Sequence, residues 1–365
     1  MSFLEELEAL TEKLVKTVTV SGYEKKSAAA VLEICKEYAK DCFDEGYVTK
    51  SKSVVLVKKS KGQTKYSLAF DAHLDTVGFA VSEICEGGYL KTVPMGGIDV
   101  NILPSSEVLI CGKKEIRAVF SSVPPHLSTS DKLPEIGQLL VDTGFETKQE
   151  TEKYVEIGTP VVMYPHFTKL LNNRVSATGL DDKICITAVL YALKLLKDIC
   201  LENTDIYCYF SSGEERGGNG SYHMYNEICP DAAVVLDVNF AKEKGSKDGE
   251  YGILGKGAMT SVSSVTNKAL TKAVIDCARK NDIPLQTVLE MTSTGTNADV
   301  APRTGSGFAS AVLSVPLKYM HSSVECASLD DVVSAARILK ELSLEYDKTP
   351  VSIPVYYKGG ADGEL

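Results

Sequence analysis

The stretch Thr204 to Phe210 (Thr-Asp-Ile-Tyr-Cys-Tyr-Phe) is a short apolar run of β-branched and aromatic residues, the pattern of a buried strand. It runs directly into Ser-Ser-Gly-Glu-Glu-Arg-Gly-Gly-Asn-Gly over positions 211–220, so two adjacent carboxylates, Glu214 and Glu215, sit at the strand's carboxyl end. Neighbouring carboxylates repel, and a strand end is where open α/β sheets place their chemistry. A solvated acidic loop explains any single Glu-Glu pair equally well, so the pair needs corroboration from elsewhere in the chain. Similar apolar runs recur at Ala232–Leu236 and Ser310–Tyr319, with amphipathic helical patterns at about 180–200, 266–281 and 328–346. That alternation predicts an α/β fold.

The chain's 365 residues exceed what one core usually organises, which points to two domains or one domain with a large insertion. A formal charge of −10 disfavours nucleic acid and anionic membrane as partners. The start, Met-Ser-Phe-Leu-Glu-Glu-Leu-Glu, is acidic and amphipathic and has no secretory pattern, and no run is long enough to span a bilayer. Ten cysteines are scattered without a C-x-x-C pair, mostly in apolar segments, as expected of buried thiols in the cytoplasm.

Leu4, Leu7, Leu10 and Leu14 mark an amphipathic helix over 2–17, and Ser21 with Glu24 reads as a capping box opening a second helix to about Ala39. Strands follow at Ser53–Lys58 and Tyr66–Ala72. The second delivers His73-Leu74-Asp75, where alternation puts His73 and Asp75 on one face. From Phe79 to about Phe167 short β-prone pieces (Glu107–Cys111, Glu115–Phe120, Pro160–Tyr164) alternate with Gly, Pro and charge clusters, and 128–135 reads as a loop. This texture predicts a small β-domain, 79–167, inserted into a catalytic α/β domain of 1–78 and 168–365. Leu180-Asp181-Asp182-Lys183 opens the next helix, Asp237 ends the 232–236 strand, and the last strand delivers His321. Ser328 is placed to cap the final helix, and the Gly-rich tail is expected to be loose.

His73, Asp181, Glu215, Asp237 and His321 thus all fall at strand ends or at a helix start after a loop. Taken one at a time, each has an ordinary structural reading as a turn residue, a cap or a satisfied polar group. Together, on the converging rim of a parallel sheet, they form a donor set suited to Zn²⁺, Co²⁺ or Mn²⁺. Two imidazoles with several carboxylates match a two-metal hydrolytic site. Asp75 is placed to accept the second ring N–H of His73. Glu214, beside a ligand but not needed as one, is left as a general base.

The segments Ala72–Gly78, Leu180–Lys183, Gly213–Gly217, Leu236–Val238, Gly255–Gly257 and Tyr319–Glu325, in this order, resemble the tetrahedral (TET-type) metallo-aminopeptidases, cytoplasmic enzymes that include glutamyl, lysyl and leucyl aminopeptidases. The resemblance covers nearly the whole chain. It implies a phosphorylase/hydrolase-like mixed sheet with helices on both faces plus an inserted β-barrel dimerisation domain. It also implies two divalent ions per subunit, zinc first with cobalt or manganese as alternatives. Asp181 would bridge them, with His73 and Asp237 at one ion, Glu215 and His321 at the other, and Glu214 as general base on a metal-bridging water. The substrates would be short peptides cleaved at the N-terminal bond, and the protein a homo-oligomer, either a dimer or a tetrahedral dodecamer. Thr76, the run Arg216–Gly220, Asn297 and Ser323 depart from the usual residues of that family (Glu, Val-Gly-Leu-Arg-Gly, Asp and Pro). None removes a ligand or the base, so the departures bear on specificity. Two other readings stay open on the residues alone: a metal-dependent amidohydrolase or deacylase of N-acylated small molecules, and a catalytically silent assembly or peptide-binding relative.

Overall fold

The computed structural model describes residues 2–124, 126, 135–246, 251–305 and 307–348. Helix α1 (Phe3–Val15) opens on a capping box in which Ser2 and Glu5 satisfy each other's backbone N–H, and it buries Leu7, Leu10 and Leu14. Helix α2 (Ser27–Tyr38) begins six residues later than Ser21 and carries no side-chain cap. The expected box at Ser21 fails because Glu24 turns back within its own loop to accept the Gly22 N–H, while the Ser21 hydroxyl is buried without a partner. Strands β1 (Glu45–Val48), β2 (Val54–Lys58) and β3 (Tyr66–His73) follow.

Next come β4 (Gly78–Ile84), β5 (Tyr89–Met95), β6 (Glu107–Cys111), β7 (Glu115–Phe120), β8 (Leu140–Asp142), the short helix α3 (Lys148–Glu152) and β9 (Pro160–Met163). These six strands close into an antiparallel barrel in the order β4-β5-β8-β7-β6-β9. Its interior is a separate core that includes Phe79, Leu90, Ile110, Phe120 and Val161. The loop expected at 128–135 lies, apart from Glu135, outside the described residues, as does the tail from 349 onward.

The remaining elements are β10 (Phe167–Lys169), β11 (Arg174–Ala177), α4 (Leu180–Leu195), β12 (Thr204–Ser211), α5 (Asn219–Ile228) and β13 (Ala232–Phe240). They are followed by β14 (Ala258–Ser263), α6 (Lys268–Lys280), β15 (Leu285–Glu290), β16 (Ala309–Leu317), β17 (Glu325–Ser328) and α7 (Leu329–Lys348). Ser328 is the last residue of β17 and its hydroxyl is unpaired, so it does not cap α7. The cap expected there is displaced because Ser328 is already committed to the β11–β17 ladder.

The eight-stranded sheet runs β1-β2-β12-β3-β13-β16-β14-β15. Its centre, β12-β3-β13-β16, is parallel, and β1, β2 and β14 pair antiparallel to their inner neighbours. Helices cover both faces. The larger core packs α1, α2, α4, α6 and α7 on one side, and α5 places Met224 and Tyr225 against Val55, Ala69 and Tyr209 on the other. The fold is therefore the mixed α/β sheet with an inserted barrel that the sequence implies. Strand register then aligns the site. Ser211 pairs with His73, and Asp71 pairs with Val235, which brings Asp237 alongside His73 two residues further on.

Candidate active site

Three strand ends, one position inside β13 and one helix entrance meet at the carboxyl rim of the parallel strands; β13 does not stop at Asp237 as expected, because its ladder with β16 carries it on to Phe240. His73 ends β3, Asp237 lies in β13, Glu214 and Glu215 form a 3₁₀ turn after β12, His321 follows β16, and Asp181 precedes the helical part of α4. Asp181 (φ −73°, ψ 104°) and Asp182 (φ −116°, ψ 26°) are not helical, so regular helix begins only after the pair.

Asp181 stands between the two imidazoles. Its Oδ1 is 3.0 Å from His73 Nε2 and its Oδ2 is 3.1 Å from His321 Nε2. Asp237 Oδ1 lies 3.7 Å from His73 Nε2, and Glu215 Oε1 lies 3.3 Å from His321 Nε2. The last contact is close but not aligned as a hydrogen bond, and Glu215 Oε1 is a buried oxygen without a hydrogen-bond partner. Ligand-type atoms come within 4.8 Å of one another in two sets, His73–Asp182–Asp237 and His73–Asp181–Glu215. All five residues expected at a metal pair are thus in one cluster, and Asp182 joins it. The Asp182 carboxylate accepts the His73 backbone N–H at 3.1 Å and leaves Oδ1 buried and unpaired. Unpaired buried carboxylate oxygens beside two imidazoles are a donor set that fits divalent cations of the zinc type.

The surroundings differ from the sequence reading at Asp75. His73 Nδ1 pairs with the backbone carbonyl of Asp75 at 2.9 Å, while the Asp75 carboxylate is 3.7 Å away. That carboxylate instead accepts the backbone N–H groups of Glu214 (3.0 Å) and Glu215 (3.3 Å), and so holds the turn that carries them. Glu325 is a positioning residue that sequence reasoning missed. Buried at 2% exposure, it accepts the His321 N–H at Oε1 (2.8 Å) and the Asp181 N–H at Oε2 (3.2 Å). Its place four residues after His321, at the end of the segment Tyr319–Glu325, was the available signal.

Charge follows from burial. Burial, with Asp237, Glu215 and Asp181 nearby and against the pull of His73, pushes Glu214 up to about 9. Burial disfavours the charged imidazoles, yet carboxylate partners prevail: Asp181 and Asp237 hold His73 well above its usual range, and Asp181 with Glu215 pushes His321 up to about 11. The cluster therefore favours positive charge at both imidazole positions.

Among the described residues, no helix is long and apolar enough to cross a membrane. The sequence model of the M42 glutamyl aminopeptidase family matches residues 53–338. The lysyl aminopeptidase of Pyrococcus furiosus is 33% identical over 339 residues, covering 91% of this chain and 95% of its own. Aminopeptidase APDkam598 from the archaeon Desulfurococcus kamchatkensis superposes with a TM-score of 0.88 at 26% identity, over 97% of this chain and 99% of that one. The Pyrococcus horikoshii TET1 peptidase, described as assembling into a tetrahedron or a large octahedral shell, gives 0.80 at 27% identity, over 94% and 99% of the two chains. With a match of that extent in sequence and fold, and the acid–imidazole cluster in place, the chain belongs to the M42 glutamyl aminopeptidase family and is a metallo-aminopeptidase.

Proposed function

We propose that the chain is a dinuclear metal-dependent aminopeptidase that releases N-terminal residues from short peptides, with Glu214 as its general base. The observation that carries this reading is the position of Asp181, which offers one carboxylate oxygen to each imidazole. His73 and Asp237 would hold one ion, Glu215 and His321 the other, and Asp181 both. Asp182, whose carboxylate lies within the His73–Asp237 set, reinforces that side. Bound divalent cations, zinc first, supply Lewis-acid polarisation of the scissile carbonyl and bring water near neutrality in pKa.

Glu214 takes the proton of the attacking water and returns it to the leaving amine. Its high pKa in the protein alone comes first from burial and then from neighbouring carboxylates, against the pull of His73, and bound cations would lower it. The Asp75 carboxylate keeps Glu214 on its turn. The surplus of carboxylates over imidazoles makes the site acidic and favours the α-ammonium of a free N-terminus over a mid-chain peptide bond.

We assign residues 1–78 and 168–365 to the catalytic unit and 79–167 to an inserted barrel that mediates dimer contacts. The TET1 likeness supports a homo-oligomer, a dimer or a dodecamer. Ten free cysteines support a cytoplasmic location.

The test is metal analysis and turnover of aminoacyl-p-nitroanilides on the same sample of wild type and Glu214→Gln. Two ions per chain in both proteins, with turnover lost by about 10²–10⁴-fold in the variant, is the expected result. Equal turnover would remove Glu214 from the role of base, and one ion per chain would end the dinuclear reading.

A further inference from the structure

Kinship leaves the released residue open, since the family description names glutamyl release and the Pyrococcus furiosus relative lysyl release. A cavity of about 620 Å³ opens beside Glu214. Its size is within the range of sites that take small ligands, roughly 300–1,000 Å³. Gly217, Gly218 and Tyr222 form one wall, and the segment from Thr292 to Arg303 forms the other. Gly218 sits at φ +72°, and a Cβ there would lie 2.7 Å from Val300 Cγ2, so only glycine lets the catalytic turn lie this close to the cavity wall.

Besides Glu214, two charged side chains line the space, Asp299 and Arg303. Asp299 is occupied by its own loop: Oδ1 accepts from the Thr294 N–H (3.0 Å) and hydroxyl (2.8 Å), and Oδ2 from the Ser293 hydroxyl (2.7 Å) and the Gly295 N–H (3.1 Å). Arg303 is exposed, and among the described residues its guanidinium makes no hydrogen bond or ion pair. Its backbone is fixed, because it ends a 3₁₀ turn between buried Ala301 and Thr304, and the Thr304 hydroxyl donates to the Val300 carbonyl at 2.9 Å. An anchored turn thus brings an arginine with no partner among the described residues to the lining of a cavity that Glu214 also lines.

We propose that this cavity receives the side chain of the substrate's N-terminal residue and that Arg303 selects an acidic one, glutamate or aspartate. The proposal rests on the aminopeptidase reading and adds to it the residue released. A guanidinium pairs with a carboxylate through two parallel N–H···O bonds, a geometry that an ammonium or an aliphatic side chain does not offer. Val265 and Val300 give the methylene part of the side chain an apolar wall. A lysine side chain would meet Arg303 as a like charge. A glutamate side chain in this acid-rich site has Arg303 as its only unpaired cationic partner among the described lining residues.

The experiment compares kcat/KM for glutamyl-, leucyl- and lysyl-p-nitroanilide on the Zn²⁺- or Co²⁺-loaded full chain, for wild type, Arg303→Lys and Arg303→Glu. Wild type should favour glutamyl over lysyl by at least about 10-fold, Arg303→Lys should keep part of that ratio, and Arg303→Glu should reverse it. In parallel, free L-glutamate and L-lysine are tested as ligands by thermal shift on the same proteins. A glutamate shift in wild type that Arg303→Glu abolishes supports the subsite even where no anilide turns over, a result that would count against the aminopeptidase reading alone. A wild-type preference for lysyl substrate, or a glutamyl-to-lysyl ratio and glutamate shift that Arg303→Glu leaves unchanged, overturns the proposal.

Discussion

The carboxylate of Asp75 lies beneath the turn that carries Glu214 and accepts the Glu214 backbone N–H at 3.0 Å. The same carboxylate takes the N–H of Glu215, so one side chain from the end of β3 fixes both neighbouring acids after β12. Asp75→Asn can accept only one of these bonds and carries no charge. Because His73 pairs with the Asp75 carbonyl rather than its carboxylate, the imidazole keeps its partner. We therefore expect kcat to fall by about 10–100-fold, the usual cost of losing such a support, with metal content near wild type. Metal loss on the scale of the kcat loss would instead make the 3.7 Å approach of the carboxylate to His73 the important contact.

Glu325 ties His321 to Asp181 through their backbone N–H groups. In Glu325→Gln an amide NH₂ faces one of those donors, leaving a buried N–H unsatisfied at a cost of about 1–3 kcal/mol. The two residues it aligns belong to the same cluster, so affinity for Zn²⁺ should drop about 10–100-fold, read by competition with a chelating dye. A variant that melts earlier yet binds zinc as tightly as wild type would reduce Glu325 to a structural role.

Metal loading should release protons. Without metal, burial opposes charge on the imidazoles, but the carboxylates beside them raise His73 well above its usual range and His321 to about 11. Both rings are then protonated at neutral pH and must lose that proton to act as ligands. Affinity should rise with pH between about 6 and 8, by roughly 10-fold per unit for each proton released. Titration calorimetry in two buffers of different ionisation enthalpy counts the protons. A count of zero would mean that the imidazoles are neutral before the metal arrives.

The parts of the site that sequence made legible were those set by strand ends. β3, β12, β13 and β16 are β-branched or aromatic runs buried along most of their length, so their ends and the residues delivered there were readable. Strand β1 escaped notice because it is half exposed and holds Gly46, and β14 because its small and hydroxyl side chains resemble a loop. Capping patterns misled at Ser21 and Ser328 because a local motif cannot reveal the tertiary path of the chain: Glu24 turns to the Gly22 N–H, and Ser328 is the last residue of β17 with its hydroxyl left unpaired. The work of Asp75 and Glu325 was hidden for a related reason. Three of their four partners are backbone N–H groups 139–144 residues away, and the backbone has no sequence signature; only the His321 N–H lies close in sequence to its acceptor, Glu325.

Asp331, in the first turn of α7, accepts the N–H of Gly255 at 2.8 Å through Oδ2 and that of Gly257 at 2.7 Å through Oδ1. Burial raises its pKa, the two N–H bonds lower it, and burial prevails, leaving it at about 7 rather than the ordinary 3.8 of an aspartate. Between about pH 4 and 7 the unfolded chain has then ionised this carboxyl while the fold still keeps it protonated. The fold thus binds the extra proton, and the contribution of Asp331 to stability falls as pH rises through that window and levels off above it. The whole fall amounts to at most about 4 kcal/mol. Asp331→Asn does not titrate, so the difference in melting temperature between wild type and variant isolates this group from carboxylates the two proteins share. The wild-type advantage should be largest near pH 4 and smallest at pH 7.5. An advantage that grows with pH would mean that the Gly255 and Gly257 N–H groups outweigh burial and that Asp331 is ionised within the fold.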